Sequence, residues 1–146
     1  MIALYDVNAL LPLFVSGHAS SSAIRRWHVQ NSPQGWATCP ITQNGFLRIA
    51  TQPAFEHMQP VETAGEMLRM AVSQPDHHFW PDDISITDTA IFAHRHVQGH
   101  RQLTDVYLLA LAVRNGGRLV TFDRRLSIES VRGAKPENLV ILPLEA

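Results

Sequence analysis

The feature that most constrains the fold of this chain is an alternation of short apolar runs with longer helical segments. Apolar runs of four or five residues without polar alternation are typical of strands that are buried on both faces. The predicted strands span residues 2–5, 36–39, 78–80, 118–122 and 139–142, and the predicted helices span residues 19–30, 40–49, 61–72, 87–93 and 103–113. Strands separated by helices predict an α/β fold with a parallel sheet.

Length and composition favour one globular domain over residues 1–146. The chain has 12 basic and 13 acidic residues and a net charge of −1, which excludes the strongly basic surface of a nonspecific nucleic-acid binder. No apolar run approaches the length of a membrane span, and no secretory signal is recognisable at residue 1. The single cysteine, Cys39, excludes an internal disulfide and is expected to be a small buried residue. We therefore expect a cytoplasmic protein without a membrane segment.

Three aspartates lie where a parallel sheet binds its ligands. Asp6 and Asp123 each follow an apolar strand, and Asp105 lies in the first turn of the helix at 103–113. Ligands of open parallel sheets bind beyond the carboxyl ends of the strands. Three like charges at one edge repel each other unless a cation lies between them, and hard oxygen ligands suit Mg²⁺ or Mn²⁺.

Each of these aspartates also has a purely structural interpretation as a turn former or helix cap. Asp88 tests that alternative, because residues 86–88 repeat the Thr-Asp pattern of residues 103–105, and we interpret Asp88 as a cap. His96 and His100 have the spacing of a helical metal pair, but Gly99 interrupts the helix, so surface or interface histidines are favoured.

Four segments of the chain resemble the signature blocks of PIN-domain ribonucleases, and more narrowly those of VapC-type toxins from bacterial toxin–antitoxin pairs. These segments are residues 4–10, 38–49, 103–112 and 121–126. The resemblance extends from residue 1 to about residue 142, in the order and spacing of the family.

The resemblance implies a three-layer α/β/α fold and a Mg²⁺-dependent endoribonuclease that cuts RNA, is usually a homodimer, and is inhibited by a cognate antitoxin. It assigns Asp6, Asp105 and Asp123 to three of the family's acidic positions. The second acid of the family has no plain equivalent, because Gln43 or Asn44 lies where it is expected.

These assignments suggest a role for each candidate residue. Asp6 and Asp105 would hold the metal, and Asp123 would position a ligand water or a second metal. Asn8 and Thr121 are candidate hydrogen-bond donors to the carboxylates. Arg124 and Arg125, directly after Asp123, are either phosphate contacts or solvated charges at the start of a helix.

Alternative functions remain open. Without a fourth acid, the chain could bind RNA or an antitoxin without cutting. An aspartate-dependent phosphohydrolase is disfavoured, because Asn8 cannot serve as the general acid that this chemistry needs. The large apolar residues on the helices at 19–30 and 61–72 are either core residues or the walls of a groove for an antitoxin segment.

Overall fold

Five parallel strands form a single sheet at the centre of the protein. The structure, a computed structural model, describes residues 1–15 and 17–144. The strands are β1 (Ala3–Tyr5), β2 (Trp36–Thr38), β3 (His77–Phe79), β4 (Arg118–Thr121) and β5 (Leu139–Ile141), in the order β3-β2-β1-β4-β5. Every pairing is parallel, so the carboxyl ends of all five strands lie at one edge. The predicted parallel sheet is confirmed.

Helices cover both faces of the sheet. They are α1 (Val7–Phe14), α2 (Ser21–Asn31), α3 (Pro40–Ala50), α4 (Val61–Val72) and α5 (Leu103–Arg114), with 3₁₀ turns at Ser32–Gln34, His94–His96, His100–Gln102, Ile128–Ser130 and Pro136–Asn138. Tyr5 and Val120 point into a core shared with α1, α2, α3 and α4. Leu4 and Leu119, one position earlier, point into the core around α5. Because side chains alternate along a strand, these two cores confirm three α/β/α layers.

Helix α1 is absent from the predicted elements. The polar residues that follow Asp6 and the proline at position 12 obscured its periodicity, yet Pro12 is tolerated inside the helix. Asp6 begins the helix, since its Oδ1 accepts a hydrogen bond from the Val7 N–H at 2.7 Å. One aspartate thus ends β1 and caps α1.

The predicted helix at 87–93 is wrong. Asp88 is exposed and its Oδ1 accepts a hydrogen bond from the Ala90 N–H at 2.9 Å, which forms a local turn. Phe92 then pairs with Val131 in an isolated antiparallel bridge. These contacts replace the bonds that a helix would make, so the interpretation of Asp88 as a helix cap is wrong, and its carboxylate bonds the backbone of a local turn instead.

Two other expectations have clear outcomes. Cys39 is fully buried, and burial raises the pKa of its thiol to about 11, so the prediction of a small buried residue is confirmed. Within the described residues, no helix is long and apolar enough to cross a membrane.

Candidate active site

Three carboxylates meet at the carboxyl edge of the sheet, and we call Asp6, Asp105 and Asp123 the acidic cluster. Asp6 follows β1 and Asp123 follows β4, which is its neighbour in the sheet. Asp105, in the first turn of α5, lies within hydrogen-bonding reach of both of the other carboxyl groups. The strand order changes direction between β1 and β4, and such a switch point is where open α/β sheets bind ligands.

Asp6 is the most rigidly held member of the acidic cluster. Its side chain is 5% exposed. The Val7 N–H donates to Oδ1 at 2.7 Å, and the Thr121 hydroxyl donates to Oδ2 at 2.7 Å. Each oxygen therefore has one hydrogen bond and one remaining direction for a further ligand.

Burial and neighbouring groups shift the pKa values of all three carboxyl groups in the cluster. Burial, followed by the negative charge of Asp6 and the contact with Asp123, raises the pKa of Asp105 to about 8. Burial also raises the pKa of Asp6. Desolvation pushes the pKa of Asp123 upward, but hydrogen bonds from Arg125 and Asp105 outweigh it and leave that pKa below its usual value. Asp105 therefore favours its protonated form at neutral pH.

Asn8 and Thr121 support the cluster in different ways. Thr121 contacts Asp6 directly, whereas the Asn8 side-chain amide donates to Thr121 Oγ1 at 3.2 Å. Asn8 Oδ1 in turn accepts a hydrogen bond from the Phe122 N–H at 3.2 Å. Asn8 thus connects α1 to the end of β4 and holds Thr121, rather than donating to a carboxylate itself.

Gln43 and Asn44 point to different places. The Gln43 amide donates to Thr38 Oγ1 at 3.0 Å, at the end of β2. Asn44 instead lines a cleft together with Asp6 and Asp105. Of these two amides, Asn44 lines the same cleft as Asp6 and Asp105, and Gln43 does not.

Gln102 is a site residue that the sequence analysis missed. It is 4% exposed, and its Nε2 donates to Asp123 Oδ2 at 3.4 Å. Its Oε1 is buried and has no hydrogen-bond partner among the described residues. Gln102 precedes Asp105 by three positions, and this helical spacing is the signal that could have identified it.

The two arginines after Asp123 are exposed and differ in their contacts. Arg125 donates to Asp123 Oδ1, from its backbone at 2.9 Å and from its guanidinium at 3.4 Å. Arg124 forms no ion pair within the described part of the chain. Both line a depression that also includes Asn8 and Asp123. Arg124 is therefore the more available cation on this side of the acidic cluster.

The donor set fits a divalent cation that keeps most of its water. Carboxylate oxygens are the ligands that Mg²⁺ and Mn²⁺ prefer, and a cation in place of the Asp105 proton would relieve the repulsion described above. Over residues 1–15 and 17–144, no group of three or more His, Cys, Asp or Glu side chains is arranged to enclose a metal. Mg²⁺ is usually bound through one or two carboxylates plus waters and substrate phosphates, so two carboxylates such as those of Asp6 and Asp105 would be enough to hold it.

The remaining candidates lie in other surroundings. His94 contacts the Ile86 carbonyl at 2.7 Å, and His96 lies 3.9 Å from Glu129. His100 is exposed in the 3₁₀ turn before α5. Thr104 does not cap α5, which begins after Gln102, and it lines the cleft beside Asp105 instead.

The comparisons with known proteins agree with this architecture. Residues 3–131 match the model of the PIN domain. Ribonuclease VapC44 of Mycobacterium tuberculosis is 39% identical over 142 residues, covering 97% of this chain and all of the relative. Ribonuclease VapC39 of the same organism is 40% identical over 134 residues, covering 91% of this chain and 96% of the relative.

A solved structure provides a comparison of the fold alone. The crystal structure of VapBC2 from Rickettsia felis, bound to a DNA fragment from its promoter, has a chain that aligns with a TM-score of 0.61 at 10% sequence identity. The alignment covers 99% of this chain and all of that chain.

Proposed function

The chain belongs to the PIN-domain family, and we propose that it is a divalent-metal-dependent endoribonuclease that acts as the toxin of a toxin–antitoxin pair. The observation that carries the proposal is the acidic cluster at the carboxyl edge of the sheet. The names of the relatives VapC44 and VapC39 support a ribonuclease activity. The VapBC2 structure supports an antitoxin as a partner.

Asp6 and Asp105 would hold Mg²⁺, or Mn²⁺ in its place. When bound, the cation would offset the charge of the phosphodiester and lower the pKa of a water molecule, so that the water attacks phosphorus near neutral pH. Thr121 and the Val7 N–H orient Asp6, and therefore fix the direction of its free lone pairs. Asp123 stays ionised because its pKa is low, and it can accept a hydrogen bond from the attacking water.

The experiment is incubation of the purified, antitoxin-free protein with total RNA, with Mg²⁺ and with EDTA, followed by mapping of the cut sites. We expect discrete cuts that need the divalent ion and that disappear in Asp6→Asn. Asp88→Asn is the matched control, because Asp88 lies in a similar Thr-Asp segment but bonds only local backbone. RNA that stays intact with the wild-type protein and Mg²⁺ would refute the endoribonuclease.

A second candidate is a PIN-domain protein that binds RNA or an antitoxin without cutting. The observation in its favour is that Gln43 or Asn44 stands in place of an acid, and that the described residues form no enclosed metal site. Retention of RNA on the protein without any cut, at saturating Mg²⁺ and Mn²⁺, would select this candidate.

Partners and assembly complete the proposal. We expect a homodimer in solution and a complex with the product of an adjacent small gene, whose coexpression raises soluble yield and suppresses cleavage. A cytoplasmic location remains a prediction based on the composition of the chain.

A further inference from the structure

A cleft of about 480 Å³ opens beside the acidic cluster, between α1, α3 and the first turn of α5. We call it the Arg48 cleft. Asp6 and Asp105 form part of its wall, together with Asn44 and Arg48 from α3. Binding pockets for small ligands span roughly 300–1,000 Å³, so the Arg48 cleft has room for a single nucleotide.

Helix α3 shapes this cleft with one stripe of its surface. Ile41, Gly45, Arg48 and Ile49 follow at intervals of four, three and one residues, so they share a face of the helix. A Cβ at Gly45 would lie 2.6 Å from Val7 Cγ2, so the absence of a side chain there lets α1 and α3 approach closely. The stripe therefore lines the cleft with apolar side chains and with the guanidinium group of Arg48.

Arg48 is a cation without a partner, in a cleft that contains two acids. It is exposed, and it forms no ion pair within 4.0 Å with any acidic group that the structure describes. A guanidinium binds phosphate through paired, charge-assisted hydrogen bonds. An anion that extends from the acidic cluster into the cleft would meet Arg48.

The other lining residues indicate what accompanies that anion. Ile41, Ile49 and Leu11 supply apolar contact area, and the exposed Asn44 amide supplies a donor and an acceptor. A flat, apolar group with a polar edge, attached to a phosphate, has the chemistry of a nucleotide. A base that is stacked and paired inside an RNA duplex has no free face or pairing edge for these side chains, so the nucleotide must be unpaired.

We propose that the Arg48 cleft binds one unpaired nucleotide next to the cleaved phosphate, with Arg48 on a phosphate, Ile41 and Ile49 against the base, and Asn44 at the edge of the base. This proposal rests on the proposed ribonuclease function. It assigns to α3 the choice of the base beside the cut.

The first test measures binding without cleavage. Fluorescence anisotropy in EDTA at low ionic strength compares a fluorescein-labelled single-stranded RNA of mixed sequence with the duplex it forms with its complement. We expect Arg48→Gln to weaken binding of the single strand by about tenfold, and Arg48→Lys to weaken it less, because lysine keeps the charge and loses the paired geometry. Arg26→Gln, an exposed arginine of α2, is the matched control and should bind like the wild type. Equal binding by Arg48→Gln and the wild type, or equal binding of the duplex and the single strand, would overturn the proposal.

The second test uses cleavage in Mg²⁺. Arg48→Gln should raise KM by about tenfold with a smaller change in kcat, and Asn44→Ala should redistribute the mapped cut sites without abolishing cleavage. Cleavage that is normal in both variants would overturn the nucleotide site and leave the ribonuclease standing. Binding of the single strand that depends on Arg48, in a protein that never cuts, would overturn the ribonuclease and leave the nucleotide site standing.

Discussion

Tyr5 and Asp6 are neighbours in the chain, but their side chains lie in two contrasting regions. One region brings carboxylates together, and the other surrounds its titratable groups with aromatic rings and hydrogen-bond partners. Asp6 belongs to the acidic cluster, where burial and then the negative charges of the neighbouring carboxylates raise the pKa of Asp105. Tyr5 belongs to a second region, the Trp36 cluster, which we define as Tyr5, Trp27, His28, Trp36 and His77. This cluster lies on the sheet face covered by α1, α2, α3 and α4.

Four side chains of the Trp36 cluster form hydrogen bonds. The Tyr5 hydroxyl and His28 Nδ1 are 2.7 Å apart, and the Trp36 Nε1–H donates to Asp76 Oδ1 at 3.1 Å. His77 Nε2 lies 2.7 Å from Thr38 Oγ1. Burial lowers the pKa of both histidines, so these rings are neutral near neutral pH, and each has one nitrogen in a hydrogen bond.

The difference indicates that the Trp36 cluster stabilises the fold, whereas the acidic cluster lowers its stability. A neutral, hydrogen-bonded aromatic cluster adds packing without a charge penalty. The acidic cluster, by contrast, holds like charges together at a cost to stability, as functional sites commonly do. Substitutions in the two regions should therefore change stability in opposite directions.

The largest expected effect is that of Asp105→Asn on cleavage. We expect Mg²⁺-dependent cleavage to fall by about 1,000-fold or more. Residues that act as one catalytic unit depend on each other, so the loss of one removes most of the activity. The thermal midpoint of the metal-free variant should rise by about 3 °C or more, since folding no longer requires a buried carboxyl group to take up a proton. Calorimetry and the RNA assay measure the two quantities on the same preparation. Full cleavage would remove Asp105 from the site, and a lowered midpoint would contradict the assignment of repulsion.

Trp36→Ala should have the largest effect on stability. Trp36 is 2% exposed and stacks on Tyr5 with 5.5 Å between ring centroids. Truncating a buried aromatic side chain costs about 3–5 kcal/mol of unfolding free energy. Urea denaturation measures this loss against Val29→Ala, whose side chain on α2 is 75% exposed and should matter by less than about 0.5 kcal/mol. A similar stability in both variants would mean that the Trp36 cluster does not stabilise the fold.

The two regions should also respond to pH in opposite directions. The pKa of Asp105 is raised from 3.8 to about 8, so its contribution to stability is present below pH 3.8 and is lost as pH rises toward 8. The pKa values of His28 and His77 lie below 6.5, so their contributions are present above pH 6.5 and are lost as pH falls.

The interval between pH 6.5 and pH 8 separates these contributions, because those of the histidines no longer change with pH there. The thermal midpoint of the metal-free wild type should fall across this interval, and that of Asp105→Asn should stay nearly flat. Asp88→Asn should keep the slope of the wild type. An unchanged slope in Asp105→Asn would assign the titration to another group.

The smallest expected effect is that of Tyr5→Phe. This change removes the hydrogen bond to His28 and keeps the ring, so unfolding free energy should fall by about 1 kcal/mol. Cleavage should be unaffected, although Tyr5 directly precedes Asp6. Loss of cleavage at normal stability would show that the Trp36 cluster and the acidic cluster are coupled, and would contradict their separate roles.

The sequence by itself determined most of the elements, though not α1, and the edge of the sheet at which Asp6 and Asp123 lie. Hydrophobic periodicity and apolar runs predicted five strands, helix α4 at 61–72 and the buried helix α5. Burial of one face leaves a periodic pattern of apolar residues, and burial of all faces leaves a continuous apolar run. The positions of Asp6 and Asp123 after strands were sufficient to place them at the carboxyl edge of a parallel sheet.

Only the tertiary structure decided which neighbouring side chains reach the site. Gln43 and Asn44 are adjacent on α3, and their directions depend on how that helix packs against the sheet. The contact between Gln102 and Asp123 spans 21 positions. At residues 87–93, bonds to a distant segment replaced a helix that the local pattern favoured. Local patterns record which face of an element is buried, whereas the identity of the partner is set by long-range packing, which leaves no periodic signal in the sequence.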